Sequence, residues 1–184
     1  MTPPLTAGTG VVLIGPRAAG KTTLGKALAA RLAWPFRDGD EELARAVGEP
    51  AGAHLARVGE RAFRAVEEQT TLELLAEMAR RPPQVLALGG GAVLSATVQE
   101  RLASGPMTVV LVVAEPETLA RRIAASPILR PSLTELPPIA EVEAVSRARM
   151  PVYERLARLV VDTTRTELVA CCESVLARLG HSGR

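Results

Sequence analysis

Short apolar runs alternate along this chain with longer stretches whose apolar residues recur every three or four positions. Runs at 11–14 (Val-Val-Leu-Ile), 85–88, 109–113 and 159–161 are nearly continuous in Val, Leu, Ile and Ala. That is the pattern of strands buried on both faces. Residues 36–38 form a shorter candidate strand after Pro35. Helical spacing marks 23–32 through Leu24, Leu28 and Leu32, and 41–47, which Gly48 and Pro50 close. A long helical pattern starts after Gly59 and reaches Arg81, with Phe63, Val66, Leu74, Leu75 and Met78 facing inward. Further helices are expected at 96–102, at 116–125, at 139–156 with Pro151 interrupting, and at 167–179. The segment between 126 and 138 holds Pro127, Pro131, Pro137 and Pro138, too many for a helix. Strands that alternate with helices predict an α/β fold, a five-stranded parallel sheet covered on both faces. Residues 1–10 are polar and Pro/Gly-bearing and are expected to fray ahead of one domain over 11–180.

Between the first strand and the first helix lies Gly15-Pro-Arg-Ala-Ala-Gly20-Lys21-Thr22, which fits G-x-x-x-x-G-K-[ST]. Strand, glycine loop and helix together are the context that makes this spacing a phosphate site. Backbone N–H groups from Gly15 through Ala18, Ala19, Gly20 and Thr23, with the positive end of the helix, would surround phosphate oxygens. Lys21 would reach the β- and γ-phosphates of ATP, and the Thr22 hydroxyl would sit on Mg²⁺. Composition supports this reading. The chain has 22 Lys+Arg, yet only Lys21 and Lys26 are lysine. A compact ammonium has been kept where a phosphate loop requires one.

The formal net charge of +2 is too balanced for a nucleic-acid surface, and Trp34, Phe36, Phe63 and Tyr153 are the only aromatics available for base stacking. No apolar stretch approaches the roughly 20 residues of a membrane span. Cys171 and Cys172 are adjacent in a helical pattern and point apart. Two reduced thiols and an ATP-type loop fit the cytoplasm.

Candidate chemistry clusters at strand ends, where ligands of such sheets bind. Asp38 and Asp40 are two of only three aspartates in the chain. At strand spacing they share a face, so one could assist Mg²⁺ and the other accept the proton of an attacking hydroxyl. Asp40 is also placed to cap the helix at 41–47, and the two roles compete for the same oxygens. Gly89-Gly90-Gly91 permits close backbone approach to a ligand. Arg64, either an ion-pair partner of Glu68 or a fork for a carboxylate, opens the long helix, and Arg149 offers the same choice further on. Arg130, held out of helical geometry by Pro131, suits a lid that closes over phosphates.

Taken in order, these elements resemble the shikimate kinase family. The resemblance rests on G-x-x-x-x-G-K-T at 15–22, D-x-D at Asp38 and Asp40, and G-E-x-x-F-R ending at Arg64. It continues through L-G-G-G at 88–91, R-P at Arg130 and Pro131, R-x-P-x-Y from Arg149 to Tyr153, and V-D-T at 161–163. The match spans nearly the whole chain after the tail. It implies a doubly wound sheet of order 2-3-1-4-5 with a lid near 125–138. It further implies transfer of the γ-phosphoryl of MgATP to the 3-hydroxyl of shikimate, in aromatic amino-acid biosynthesis. By this resemblance Asp40 binds shikimate and acts as base, and Asp38 assists the metal held by Thr22. Arg64, Arg149 and the Gly89–Gly91 loop bind shikimate. Arg130 reaches the phosphates, and Arg122 and Arg165 line the adenine.

The sequence departs from the family pattern at Ala18, where glycine is usual, at Ser132, where leucine is common, and near Leu55, which lacks a frequent aromatic. A kinase of another small hydroxy acid such as gluconate, and a ligand-sensing domain without turnover, are the competing readings. The order of motifs around Asp40, Arg64 and Arg149 favours shikimate over gluconate, and the retained Lys21, Asp38 and Asp40 favour catalysis. The expected partners are ATP and shikimate, with no nucleic acid, no membrane and a monomeric chain.

Overall fold

The computed structural model describes residues 10–81, 83–126 and 137–180. Five strands form one all-parallel sheet: β1 (Gly10–Ile14), β2 (Phe36–Asp38), β3 (Gln84–Ala87), β4 (Thr108–Val113) and β5 (Leu159–Asp162), in the order β2-β3-β1-β4-β5. β1 is central, with Val11 opposite Val85 on one side and Thr108 on the other. Its alternate side chains feed two cores. Val11 and Leu13 join Leu24 and Leu28 of α1 (Lys21–Leu32) and Val175 and Leu176 of α7 (Leu168–Arg178). Val12 and Ile14 face Leu74, Leu75 and Met78 of α3 (Ala51–Arg80), with Tyr153 and Leu156 of α6 (Pro138–Leu156) in the same cluster. Burial on both faces is why β1, β3 and β4 read as continuous apolar runs; β5, at the edge, was expected to be buried likewise but leaves Val160 exposed. α2 (Gly39–Val47), α4 (Ala96–Ser104) and α5 (Pro116–Ala124) complete the helices. Among the described residues no helix is long and apolar enough to cross a membrane.

Three elements differ from the expected pattern. Helix α3 begins at Ala51, eight residues before Gly59, and breaks at Gly59, where φ is 78° and ψ 166°. The stretch ahead of the break is rich in Ala and Gly and lacks a strong apolar stripe, so its periodicity does not announce a helix. Helix α3 packs against α2. Helix α2 starts at Gly39 and its cap is Asp38. Pro151 stays inside α6, which continues to Leu156; a proline removes one intrahelical hydrogen bond, and buried Tyr153 and Leu156 hold the turn that follows.

Candidate functional site

Two cavities open at the carboxyl ends of the strands. One, of about 720 Å³, is lined by Ala18, Gly20, Thr23, Arg122, Thr163 and Cys171 among others. The second, of about 400 Å³, is lined by Phe63, Arg64, Glu67, Gly90, Gly91, Arg149 and Tyr153 among others. Arg17, Lys21, Thr22, Asp38, Asp40 and Ile123 border both. A group that passes between the cavities passes these side chains.

The loop between β1 and α1 has the conformation its sequence predicts, with Gly15 at φ 137° and Gly20 at φ 96°. Ala18 also takes a left-handed conformation, φ 62°, which explains why glycine is the easier residue there. Lys21 is buried and donates to the carbonyls of Gly15 at 2.9 Å and Pro16 at 2.7 Å. The buried carbonyl of Ala19 accepts from Thr163 Oγ1 at 2.8 Å. Arg122 braces the same loop: Nη1 lies 3.3 Å from the Ala18 carbonyl, and Nη1 and Nη2 reach Thr163 Oγ1 and O at 2.9 and 2.7 Å. Thr163 thus ties the end of β5 to the phosphate loop, a role its hydroxyl alone does not announce.

The cap question resolves in favour of Asp38. Its Oδ1 accepts from the Asp40 amide at 3.0 Å and its Oδ2 from Thr22 Oγ1 at 2.6 Å, with the side chain almost wholly buried. Because helix α2 begins at Gly39, two residues earlier than its apolar spacing indicates, the orphan amide of Asp40 falls to Asp38. The Asp40 carboxylate is released from capping and turns toward the second cavity, where a Cβ on Gly89 would fall 2.7 Å from its Oδ1.

Thr22 and Asp38 also fit a magnesium site. Hydroxyl and carboxylate are already joined, and no group of three or more His, Cys, Asp or Glu that could hold a metal exists among the described residues. A sparse oxygen set suits a cation that keeps waters and binds substrate phosphates.

In the second cavity, Arg64 pairs with Glu67 at 2.5 Å and Glu60 at 3.3 Å. The expected partner Glu68 is not among its ion pairs. Glu67 was not anticipated. It is 7% exposed; burial pushes its carboxyl above the usual range, while Arg64 pulls it back. Arg149 Nη1 and Tyr153 Oη converge on the Gly90 carbonyl at 3.0 and 2.6 Å. Tyr153 is fully buried, and burial raises its phenol above the ordinary value. The glycine loop is needed for close approach: a Cβ on Gly91 would lie 1.9 Å from Arg64 Nη1. The cavity therefore brings together Arg64 and Glu67 of α3, Arg149 of α6, Asp40 of α2 and the backbone of Gly90 and Gly91.

Arg165 is not brought into either cavity. Its side chain is 87% exposed and lies 3.9 Å from Glu115. Arg130 and most of the 125–138 segment lie outside the described residues. Cys171 and Cys172 are buried free thiols, and burial raises both above the ordinary thiol value. Arg17 and Ile123, which border both cavities, carry no motif signal beyond their place beside the loop and on α5.

A phosphate loop on the central strand, followed by an acidic strand end and a second pocket rich in arginine, defines a P-loop small-molecule kinase. Comparison narrows the class. The family model for shikimate kinase matches residues 17–180. The shikimate kinase of Nitratidesulfovibrio vulgaris is 42% identical over 94% of this chain and 96% of its own length. That of Saccharopolyspora erythraea is 39% identical over 91% and 92%. The structure of the Acinetobacter baumannii shikimate kinase in complex with shikimate superposes with a TM-score of 0.83 at 28% identity, covering 100% of this chain and 97% of that one. The chain belongs to the shikimate kinase family.

Proposed function

We propose that this protein transfers the γ-phosphoryl group of ATP to the 3-hydroxyl of shikimate, forming shikimate 3-phosphate and ADP. The observation that carries the reading is the junction of the two cavities, where Lys21, Thr22, Asp38 and Asp40 all face the path between them. ATP occupies the larger cavity, with its phosphates on the loop at 15–22 and Lys21 exchanging its loop carbonyls for phosphate oxygens. Shikimate occupies the smaller one. Arg64 and Arg149 hold its carboxylate, which fixes the ring so that a hydroxyl faces Asp40. Asp40, no longer a cap, takes the proton from that hydroxyl as it attacks. Mg²⁺ would be held by Thr22 with Asp38 behind it, and when bound it neutralises charge on the phosphates. Arg130 adds positive charge at the phosphates from the lid.

A coupled ADP-release assay with MgATP and separate shikimate, quinate and gluconate tests the reading. Turnover with shikimate well above the other two is expected. Preference for gluconate would move the assignment to another hydroxy-acid kinase, and ATP binding without turnover on any acceptor would replace the enzyme by a sensor.

A further inference from the structure

One buried histidine takes no part in the chemistry above. His54 lies in the first section of α3, ahead of the break at Gly59, and is 7% exposed. Its Nδ1 is 2.8 Å from Glu49 Oε1. The same oxygen accepts from Arg57 Nε at 3.0 Å and Nη2 at 2.5 Å. Arg57 first, and then His54, hold the Glu49 carboxyl below its usual range, so it is ionised at neutral pH. Arg57 Nη2 also lies 3.1 Å from His54 Nδ1, so Glu49, His54 and Arg57 form one closed cluster.

The histidine ring also meets Phe63, with ring centroids 6.3 Å apart and planes tilted by 48°. Phe63 is buried and lines the acceptor cavity, and the Arg64 guanidinium lies over its ring with Cζ 5.4 Å from the centroid. Glu49, His54, Phe63 and Arg64 therefore form one continuous chain of contacts. The His54–Phe63 contact crosses the Gly59 break. Gly59 supplies no side-chain packing of its own, and a Cβ built there would meet nothing within 4 Å. What fixes the two sections of α3 relative to each other must be contacts on either side of the break.

We propose that His54 is a positioning residue for the acceptor site: anchored by Glu49, its ring fixes Phe63 across the break, and Phe63 seats the Arg64 guanidinium. The inference deepens the functional reading and rests on Arg64 holding the acceptor carboxylate.

The test compares His54→Ala, His54→Asn and His54→Phe with the unaltered protein. Ala and Asn remove the ring, Asn retains a donor toward Glu49, and Phe retains the ring alone. Removing the ring is expected to raise the KM for shikimate about tenfold, in the range of a contact-mediated coupling. The KM for ATP should stay within about twofold, the pattern of a specific loss of acceptor binding. His54→Phe should restore most of the shikimate KM. If His54→Ala does not fold, His54→Asn carries the same comparison.

Amide exchange in the ligand-free proteins provides a second readout independent of substrate identity. The ring-less variants should exchange faster at 60–64 and unchanged in α7. A shikimate KM within about twofold of the unaltered protein in both ring-less variants overturns the proposal, as does an equal rise for ATP. Rescue by Asn as complete as by Phe also overturns it, because the ring would then be idle. Absence of shikimate turnover in the unaltered protein would refute the functional reading instead. Amide exchange would then decide the pin alone, with unchanged rates at 60–64 counting against it.

Discussion

Gly91→Ala separates the geometry of the acceptor cavity from its folding. Gly91 has φ −97° and ψ −15°, a region open to alanine. A Cβ there would sit 1.9 Å from Arg64 Nη1, 2.6 Å from Cζ and 2.9 Å from Nη2. To regain van der Waals distance the guanidinium must withdraw by roughly 1.5 Å. That movement breaks its 2.5 Å contact with Glu67 and takes it off the line along which it would meet a carboxylate. A charge-assisted hydrogen bond contributes about 1.5–3 kcal/mol. If one such bond to the acceptor is lost, its KM rises by about 10- to 150-fold. Folding is affected less. Alanine narrows the unfolded ensemble by about 0.4–1 kcal/mol, which offsets part of the lost ion pair. Withdrawal of Arg64 also weakens the charge that counters burial at Glu67, which moves that carboxyl further up. Steady-state assays with shikimate and ATP varied separately, together with a thermal melt, provide the check. A shikimate KM within about twofold of the unaltered protein would refute the claim that Arg64 must lie against Gly91 to bind substrate. A parallel loss of ATP affinity would show damage beyond the cavity.

Other perturbations address separate links. Asp40→Asn should abolish turnover while ATP binding measured by calorimetry stays nearly unchanged; full activity would remove Asp40 from the role of base. Ala18→Gly relieves a left-handed alanine costing about 1–2 kcal/mol, against a glycine entropy penalty of about 0.5–1 kcal/mol. A melting temperature higher by about 1–4 °C is expected, and a lower one would show that loop stiffness outweighs the relief. Glu42, bonded to Arg37, has its carboxyl lowered from 4.5 to about 2. A depressed folded-state pKa stabilises above the unfolded value and loses that contribution as pH falls. The stability gap between the unaltered protein and Glu42→Gln should therefore be constant above pH 4.5 and close between pH 4.5 and about 2, as read from urea melts across that window; a gap independent of pH would count against the Arg37 pairing.

How far the sequence revealed the site depends on how many elements build each part. The phosphate loop is contiguous, so its spacing carries nearly all its geometry. Gly15, Gly20, Lys21 and Thr22 could be placed from the string and its flanking strand. The central strands β1, β3 and β4 were equally legible because they are buried on both faces and read as unbroken apolar runs, whereas β2 (Phe-Arg-Asp) and the part-exposed β5 at the sheet edges carry a weaker signal. Asp38 and Asp40 were visible as a pair, but which one caps α2 turns on whether Gly39 is already helical. That is a one-residue choice, and apolar periodicity does not resolve it.

The acceptor cavity shows where local reading ends. From Arg64, Glu67 at i+3 and Glu68 at i+4 are both available on a helical surface. The inward direction is set by the Gly89–Gly91 loop, which arrives from another strand and leaves room only where side chains would collide. Tyr153 was visible in the sequence as the end of R-x-P-x-Y, with no role attached to its hydroxyl. Its hydroxyl becomes informative once the Gly90 carbonyl stands 2.6 Å away, across a sequence separation of 63 residues. Even the exposed Arg165 carries the same cationic signal as Arg122, and only Arg122 finds Thr163 and the Ala18 carbonyl within reach. The residue types needed to hold a carboxylate are therefore present in the sequence, but their assignment is written in long-range contacts. On the proposed reading, acceptor choice would accordingly be set by the mutual placement of the glycine loop, α3 and α6, and nucleotide binding mainly by the loop after β1.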